Sequence, residues 1–219
     1  MAISTKRPAA AKSKAKPKAA ARQPKAPAKK RPSATGAILI SSKLSYKGNV
    51  FSVYSDKIIE PGSETAHTRD VVRHNGSIVI LAVDESINPK DPDIILIRQY
   101  RYAAGQYLLE LPAGRIEPKE APLAAAKREM IEETGFRAKR WTPLTKYFAS
   151  PGFLAESMQI YLARDIKQGA ANPEEDEHIE IVRTPLSQVL ALIADNKIQD
   201  GKTLIGVSLY AAAHREGRL

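Results

Sequence analysis

The sequence predicts an α+β protein, a mixed α/β sandwich with few helices, from three observations. Short β-branched and aliphatic runs separated by turn residues fill the first half of the patterned chain. A single helical segment interrupts them, further strand-like runs follow, and two apolar-periodic helices close the chain. That order is not an alternation of βαβ units, so the sheet is expected to be mixed.

Patterned sequence starts near Ala37. Ile38 to Leu44 and Val50 to Ile59 read as strands joined by the turn Tyr46-Lys47-Gly48-Asn49. Glu64 to His74, Ser77 to Val83, Ile94 to Tyr100 and Tyr107 to Leu111 follow, with Asn75-Gly76 and the polar stretch Asp84 to Asp93 as breaks. The first helix is expected over Pro122 to Thr134, with proline at its first turn and Gly135 just past its end. Trp141 to Ala149, Ser157 to Ala163 and His178 to Thr184 read as strands, and Leu186 to Ala194 and Lys202 to Ala213 as helices. No internal repeat is evident.

The net charge of +10 over 219 residues would suggest a polyanion partner if it were evenly spread. It is not: residues 1–34 hold eight Lys and three Arg without one acid, leaving 23 bases against 24 acids in the rest. With five prolines and almost no large apolar residue, residues 1–34 are expected to be a disordered basic tail. Such a run is either a solvated appendage or a weak binder of nucleic acid and other polyanions by counterion release. Lys6-Arg7-Pro8 with Lys12, Lys14, Lys16 and Lys18 also looks like a bipartite nuclear localisation signal. No apolar run is long enough to span a bilayer and none follows the basic N-terminus as a secretory signal requires, so a cytoplasmic protein without a membrane partner is expected, nuclear if the host is eukaryotic. The absence of cysteine excludes thiolate metal sites and cysteine nucleophiles. The four histidines lack ligand-like spacing, so any metal is expected on oxygen.

The first helix concentrates acid. At about 100° per residue, Glu129 and Glu133 lie one turn apart and Glu132 lies within about 60° of Glu129. Leu123, Met130 and Thr134 lie about 120° away and are expected to pack on the sheet. Two readings of the acidic face stand on the residues alone. It is a solvated face partly neutralised by Lys127 and Arg128, or a site for a hard divalent cation, which prefers carboxylate and carbonyl oxygens.

The spacing favours the second. Gly114, five residues, Glu120, seven residues, then Arg128-Glu129-Met130-Ile131-Glu132-Glu133-Thr134-Gly135-Phe136 resembles the Nudix box at every defined position, with Met130 and Phe136 as its apolar members. From average composition, a chance match in a chain of this length is on the order of one in ten million. The resemblance covers roughly residues 37–215, with specific motifs between 98 and 180. It implies a Nudix-type α/β/α sandwich with a mixed sheet over residues 76–219, preceded by a small β annex over 35–75 that contributes to a homodimer. It also implies hydrolysis of a nucleoside diphosphate linked to another group, assisted by Mg²⁺ or Mn²⁺. By the same resemblance, Glu129, Glu133 and the Ala113 carbonyl are metal ligands, Glu132 is a further ligand or orients the water, and Arg128 with Glu120 braces the catalytic loop and helix.

Flanking segments narrow the substrate. Ala149-Ser150-Pro151-Gly152-Phe153-Leu154-Ala155-Glu156, with Pro151 sixteen residues after Gly135, resembles the marker of the ADP-ribose pyrophosphatase subfamily. Gln99-Tyr100-Arg101-Tyr102, Leu109-Glu110-Leu111-Pro112-Ala113-Gly114 and Thr68 to Gly76 are similar to the same group. Its members imply ADP-ribose as substrate, ahead of another nucleoside diphosphate sugar such as GDP-mannose. Arg101 is then expected on the diphosphate and Arg69 on a phosphate or the terminal ribose, each against the alternative of a surface ion pair. Phe51 and Tyr54 are candidates for stacking on the base or for core packing. Glu177, in the acidic loop 174–177, aligns with the subfamily's general base. A protein acting on nucleic acid through its tail, with a degenerate box, is a further alternative.

Deleting residues 1–34 separates these roles. Loss of binding to heparin in a salt titration, with hydrolysis unchanged, is the expected outcome; binding retained by residues 35–219 would place it on the fold.

Overall fold

The computed structural model describes residues 36–170 and 178–218; the expectations for the tail and for Glu177 lie outside the described residues. In chain order the strands are β1 (Ile38–Lys47), β2 (Ser52–Ile59), β3 (Ala66–Arg73), β4 (Ser77–Asp84), β5 (Asp93–Arg101), β6 (Gln106–Glu110), β7 (Ala113–Arg115), β8 (Phe136–Phe148), β9 (Ser157–Gln168) and β10 (Ile179–Pro185). The α-helices are α1 (Pro122–Thr134), α2 (Leu186–Ala194) and α3 (Gly201–Arg215), and a 3-10 turn spans Tyr102–Ala104.

Six successive apolar residues, Ile78 to Val83, mark β4 as a strand covered on both faces. It sits centrally in a seven-stranded sheet of order β10-β5-β4-β9-β8, with β6 added to β5 and β7 to β4. The β4–β9 pair is parallel and the other pairs antiparallel, so the sheet is mixed. Alternate side chains of β4 serve two cores. Ile78, Ile80 and Ala82 pack with Ile95, Ala163 and the α1 residues Ala125, Ala126 and Met130. Val79, Leu81 and Val83 pack with Leu111, Ile160, Val189 of α2, and Val207 and Tyr210 of α3. The layers are therefore α/β/α.

A separate antiparallel sheet, β1-β2-β3, precedes this body. Val72 of β3 ties it to the Pro151 loop: its N–H donates to the Phe153 carbonyl at 2.8 Å, and its carbonyl accepts from Ala155 N–H at 2.9 Å. Ile38, Ile40, Leu44, Tyr46, Val50 and Phe51 in and beside this sheet remain exposed in the single chain.

Four expectations change. Strand β8 begins at Phe136 and not Trp141, because Phe136 and Ala138 turn into the core next to α1 while the intervening basic side chains point outward. Those charges hid the strand, yet they suit a sheet edge, and Arg140 bonds Asp165 of β9 across the pair at 2.6 Å. Strand β9 likewise runs to Gln168. The N-terminal turn falls two residues later, closed by Gly48 N–H to the Phe51 carbonyl at 2.9 Å. Leu123 is exposed, and Ala125 and Ala126 take its place on the sheet.

Met130 is fully buried and is the largest α1 side chain in its core. Met130→Ala is expected to lower unfolding stability by about 2–5 kcal/mol, read from denaturant midpoints.

Candidate active site

The acidic face is positioned by the two ends of α1. Pro122 opens the helix, whose φ suits the first turn, and Gly135 closes it in the left-handed region at φ 70°, its N–H bonded to the Ile131 carbonyl at 2.9 Å. Packing of Ala125, Ala126, Met130 and Thr134 against the sheet fixes the rotation of the helix, so Arg128, Glu129 and Glu132 face a cleft of about 250 Å³. Arg101, Ala113, Gly114, Arg115 and Glu117 complete its lining.

Arg128 organises this cluster. Its Nε and Nη2 donate to the two oxygens of Glu120, both at 3.0 Å. Nη1 donates to Glu129 at 2.7 Å and Glu132 at 2.9 Å, and Nη2 also reaches the Arg115 carbonyl at 3.1 Å. One guanidinium therefore joins the pre-helix loop, β7 and two acids of α1. The Glu120 bonds above all hold Arg128 well above the ordinary arginine range, although its partial burial acts the other way. Reciprocally, Arg128 holds the Glu120 carboxyl below the usual carboxylate range.

Backbone also constrains Glu133 and Glu129. Glu133 is 4% exposed and its carboxylate accepts from Ala113 N–H at 3.0 Å. Gly114 admits a close approach: a Cβ built there would lie 1.9 Å from the Glu129 carboxylate carbon, so the carboxylate would have to move away. The glycine of the motif thus makes room for the acid fifteen residues later.

Arg101 reaches the cleft from the end of β5. Its Nε and Nη2 donate to the two oxygens of Glu110 at 2.7 and 3.0 Å. Burial opposes its charge, but Glu110 more than offsets this and raises its pKa. Arg69 does not line the cleft; it lies on β3 and pairs with Glu60 at 2.9 Å. Tyr54 lies under the Arg73 guanidinium, 4.0 Å from the ring centre, and Phe51 packs near Tyr46. A larger, mostly apolar hollow of about 860 Å³ lies between α2, α3 and residues 89–91. It includes none of the α1 acids, so the smaller cleft is the chemical one.

Glu110, Asp200 and Lys202 were not singled out from the sequence as site residues. The signal was Glu110 itself, an acid between two leucines at the end of an apolar strand. Lys202, which pairs with it, comes from a segment some ninety residues away and had no marker of its own.

The cleft, its acids and its arginine brace form a candidate site of the kind expected of a Nudix hydrolase. The Nudix domain family matches residues 74–205, and the chain belongs to that family. Among its relatives is the ADP-ribose pyrophosphatase of Bacillus subtilis (strain 168), 31% identical over 170 residues, 77% of this chain and 89% of that one. The GDP-mannose pyrophosphatase of Escherichia coli O139:H28 (strain E24377A / ETEC) is 31% identical over 190 residues, 80% of this chain and 95% of that one. A crystal structure of an ADP compounds hydrolase shares the fold at a TM-score of 0.68 and 23% identity, over 88% of this chain and all of the other.

Nudix hydrolases generally require a divalent metal. Among the described residues no three acids converge as a ready-made ligand set; Arg128 Nη1 lies between Glu129 and Glu132, and Glu133 is turned to the Ala113 N–H. The donor chemistry nevertheless fits a hard cation: three carboxylates from one helix, two of them lining the cleft beside the Ala113 backbone.

Gly114→Ala is expected to displace the Glu129 carboxylate and lower kcat about a hundredfold, with cooperative melting retained. Unchanged turnover would show that Glu129 tolerates displacement.

Proposed function

We propose that this Nudix hydrolase cleaves the pyrophosphate bond of ADP-ribose to AMP and ribose 5-phosphate, with Mg²⁺ as the natural cation and Mn²⁺ as a substitute. The observation that carries it is the Arg128-braced cluster of Glu129 and Glu132 sharing one cleft with Arg101, in a chain whose relatives include an ADP-ribose pyrophosphatase. GDP-mannose is the second substrate reading, supported by the GDP-mannose pyrophosphatase at 31% identity.

Water adds to one phosphorus, the bond to the bridging oxygen breaks, and that oxygen leaves on the other phosphate. Glu129, Glu132, Glu133 and the Ala113 carbonyl would hold the divalent cation, which would supply charge to offset the phosphates and lower the pKa of a bound water. Arg128 keeps the carboxylates together between turnovers. Arg101, tied to Glu110 through Nε and Nη2, offers its charge and its remaining donor to the diphosphate, and Glu177 accepts the proton of the attacking water. Arg69 meets the substrate from the second subunit of a homodimer. The apolar residues left exposed around β1 and β2 support such an assembly. The protein acts in the cytoplasm, and its tail adds weak polyanion binding. Among the described residues, no helix is long and apolar enough to cross a membrane.

Phosphate release from a panel of nucleoside diphosphate sugars, with phosphatase added to expose the products, decides the substrate; ADP-ribose is expected to have the highest kcat/KM. On that substrate Glu133→Gln is expected to lower kcat at least about a hundredfold without unfolding the protein. For Glu177→Gln, an unchanged kcat and pH–rate profile would remove it as the base.

A further inference from the structure

The carboxylate that anchors Arg101 is shared. Glu110 is 1% exposed, and its Oε2, which accepts from Arg101 Nη2, is also ion-paired with Lys202, whose side chain is 8% exposed. Lys202 also meets Asp200 at 3.0 Å. Asp200 in turn caps α3, accepting from Thr203 N–H at 3.0 Å and from the Thr203 hydroxyl at 2.6 Å. The Thr203 hydroxyl oxygen accepts from Leu111 N–H at 2.7 Å, which pins the first turn of α3 to the residue after Glu110.

The charges in this cluster have unequal burdens. Asp200 lies at the positive end of a fifteen-residue helix and has two capping donors, so it needs little from Lys202. Among the described residues no backbone N–H donates to the Glu110 carboxylate, which is almost fully removed from water, where an unpaired carboxylate is costly. If Arg101 alone served it, the arginine's charge would be spent on Glu110 when an anionic substrate arrives. With Lys202 present, two cations face one buried carboxylate. Arg101 is then held by Nε and Nη2, while Nη1 has no hydrogen bond to the described residues.

We infer that Lys202 is a positioning residue for the diphosphate: by sharing the charge of Glu110 it leaves the charge and the Nη1 donor of Arg101 to the substrate, an inference that rests on Arg101 meeting the diphosphate as proposed above. Lys202 does not line the cleft and acts through Glu110 and Arg101.

The full chain with Lys202→Met tests it by steady-state kinetics and by calorimetric binding of the non-hydrolysable α,β-methylene analogue of ADP-ribose. KM and the analogue's Kd are expected to rise about tenfold, with kcat within about threefold. Lys202→Arg, which keeps the charge, is expected to recover most of the loss. In an Arg101→Lys background, Lys202→Met is expected to add less than about twofold, because the two residues act in series. If Lys202→Met does not melt cooperatively, Lys202→Gln carries the same expectations. Unchanged KM and Kd, or an equal penalty in both backgrounds, would overturn the role of Lys202. A wild type that binds the analogue but hydrolyses no nucleoside diphosphate sugar would sink the proposed function while the Lys202 comparison of Kd still stands. A wild type that does neither would overturn both.

Discussion

One guanidinium makes the acidic face of α1 possible. Three glutamates on a single helix face repel one another, and hydrogen bonds from Arg128 to Glu120, Glu129 and Glu132 turn that repulsion into a cross-linked cluster. Because the same side chain also bonds the Arg115 carbonyl, the charge balance and the path of the pre-helix loop are one constraint. An arginine suits this role because its planar fork offers several fixed donors, where a lysine would offer one point of charge.

The sandwich holds that cluster still. Alanines at 125 and 126 let α1 lie close to the sheet, and Met130 fills the space between them. Short β7 then brings Ala113 and Gly114 against the helix, where one donates to Glu133 and the other yields space to Glu129. Arg101 is secured from the opposite layer, since α3 supplies Lys202 to the carboxylate that grips it. Both helical layers thus contribute to one small cleft.

Charge follows the same economy. The basic residues of the tail dominate the net charge, yet the cleft itself mixes acids with three arginines, of which Arg101 and Arg128 are tied to carboxylates. Attraction for an anionic diphosphate therefore depends on how locally each arginine is neutralised, and less on the charge of the whole protein.

Local rules made much of this legible. The α1 boundaries followed from proline and glycine chemistry, β4 from its unbroken apolar run, and the acidic cluster from helical spacing with the motif glycine. Less visible were the first residues of β8, whose alternating arginines and lysines read as loop because an edge strand tolerates charge on its open side. The side-chain partners of Glu110 were not legible either. Spacing along a chain determines which groups can share a face, so the sequence alone determined the acid pattern of α1, while the reason for glycine at 114 came from the approach of Glu129 in the fold. Only tertiary structure decided which charges are neutralised by which, because Lys202 and Glu110 meet through a fold-dependent contact between α3 and β6 that no local pattern encodes.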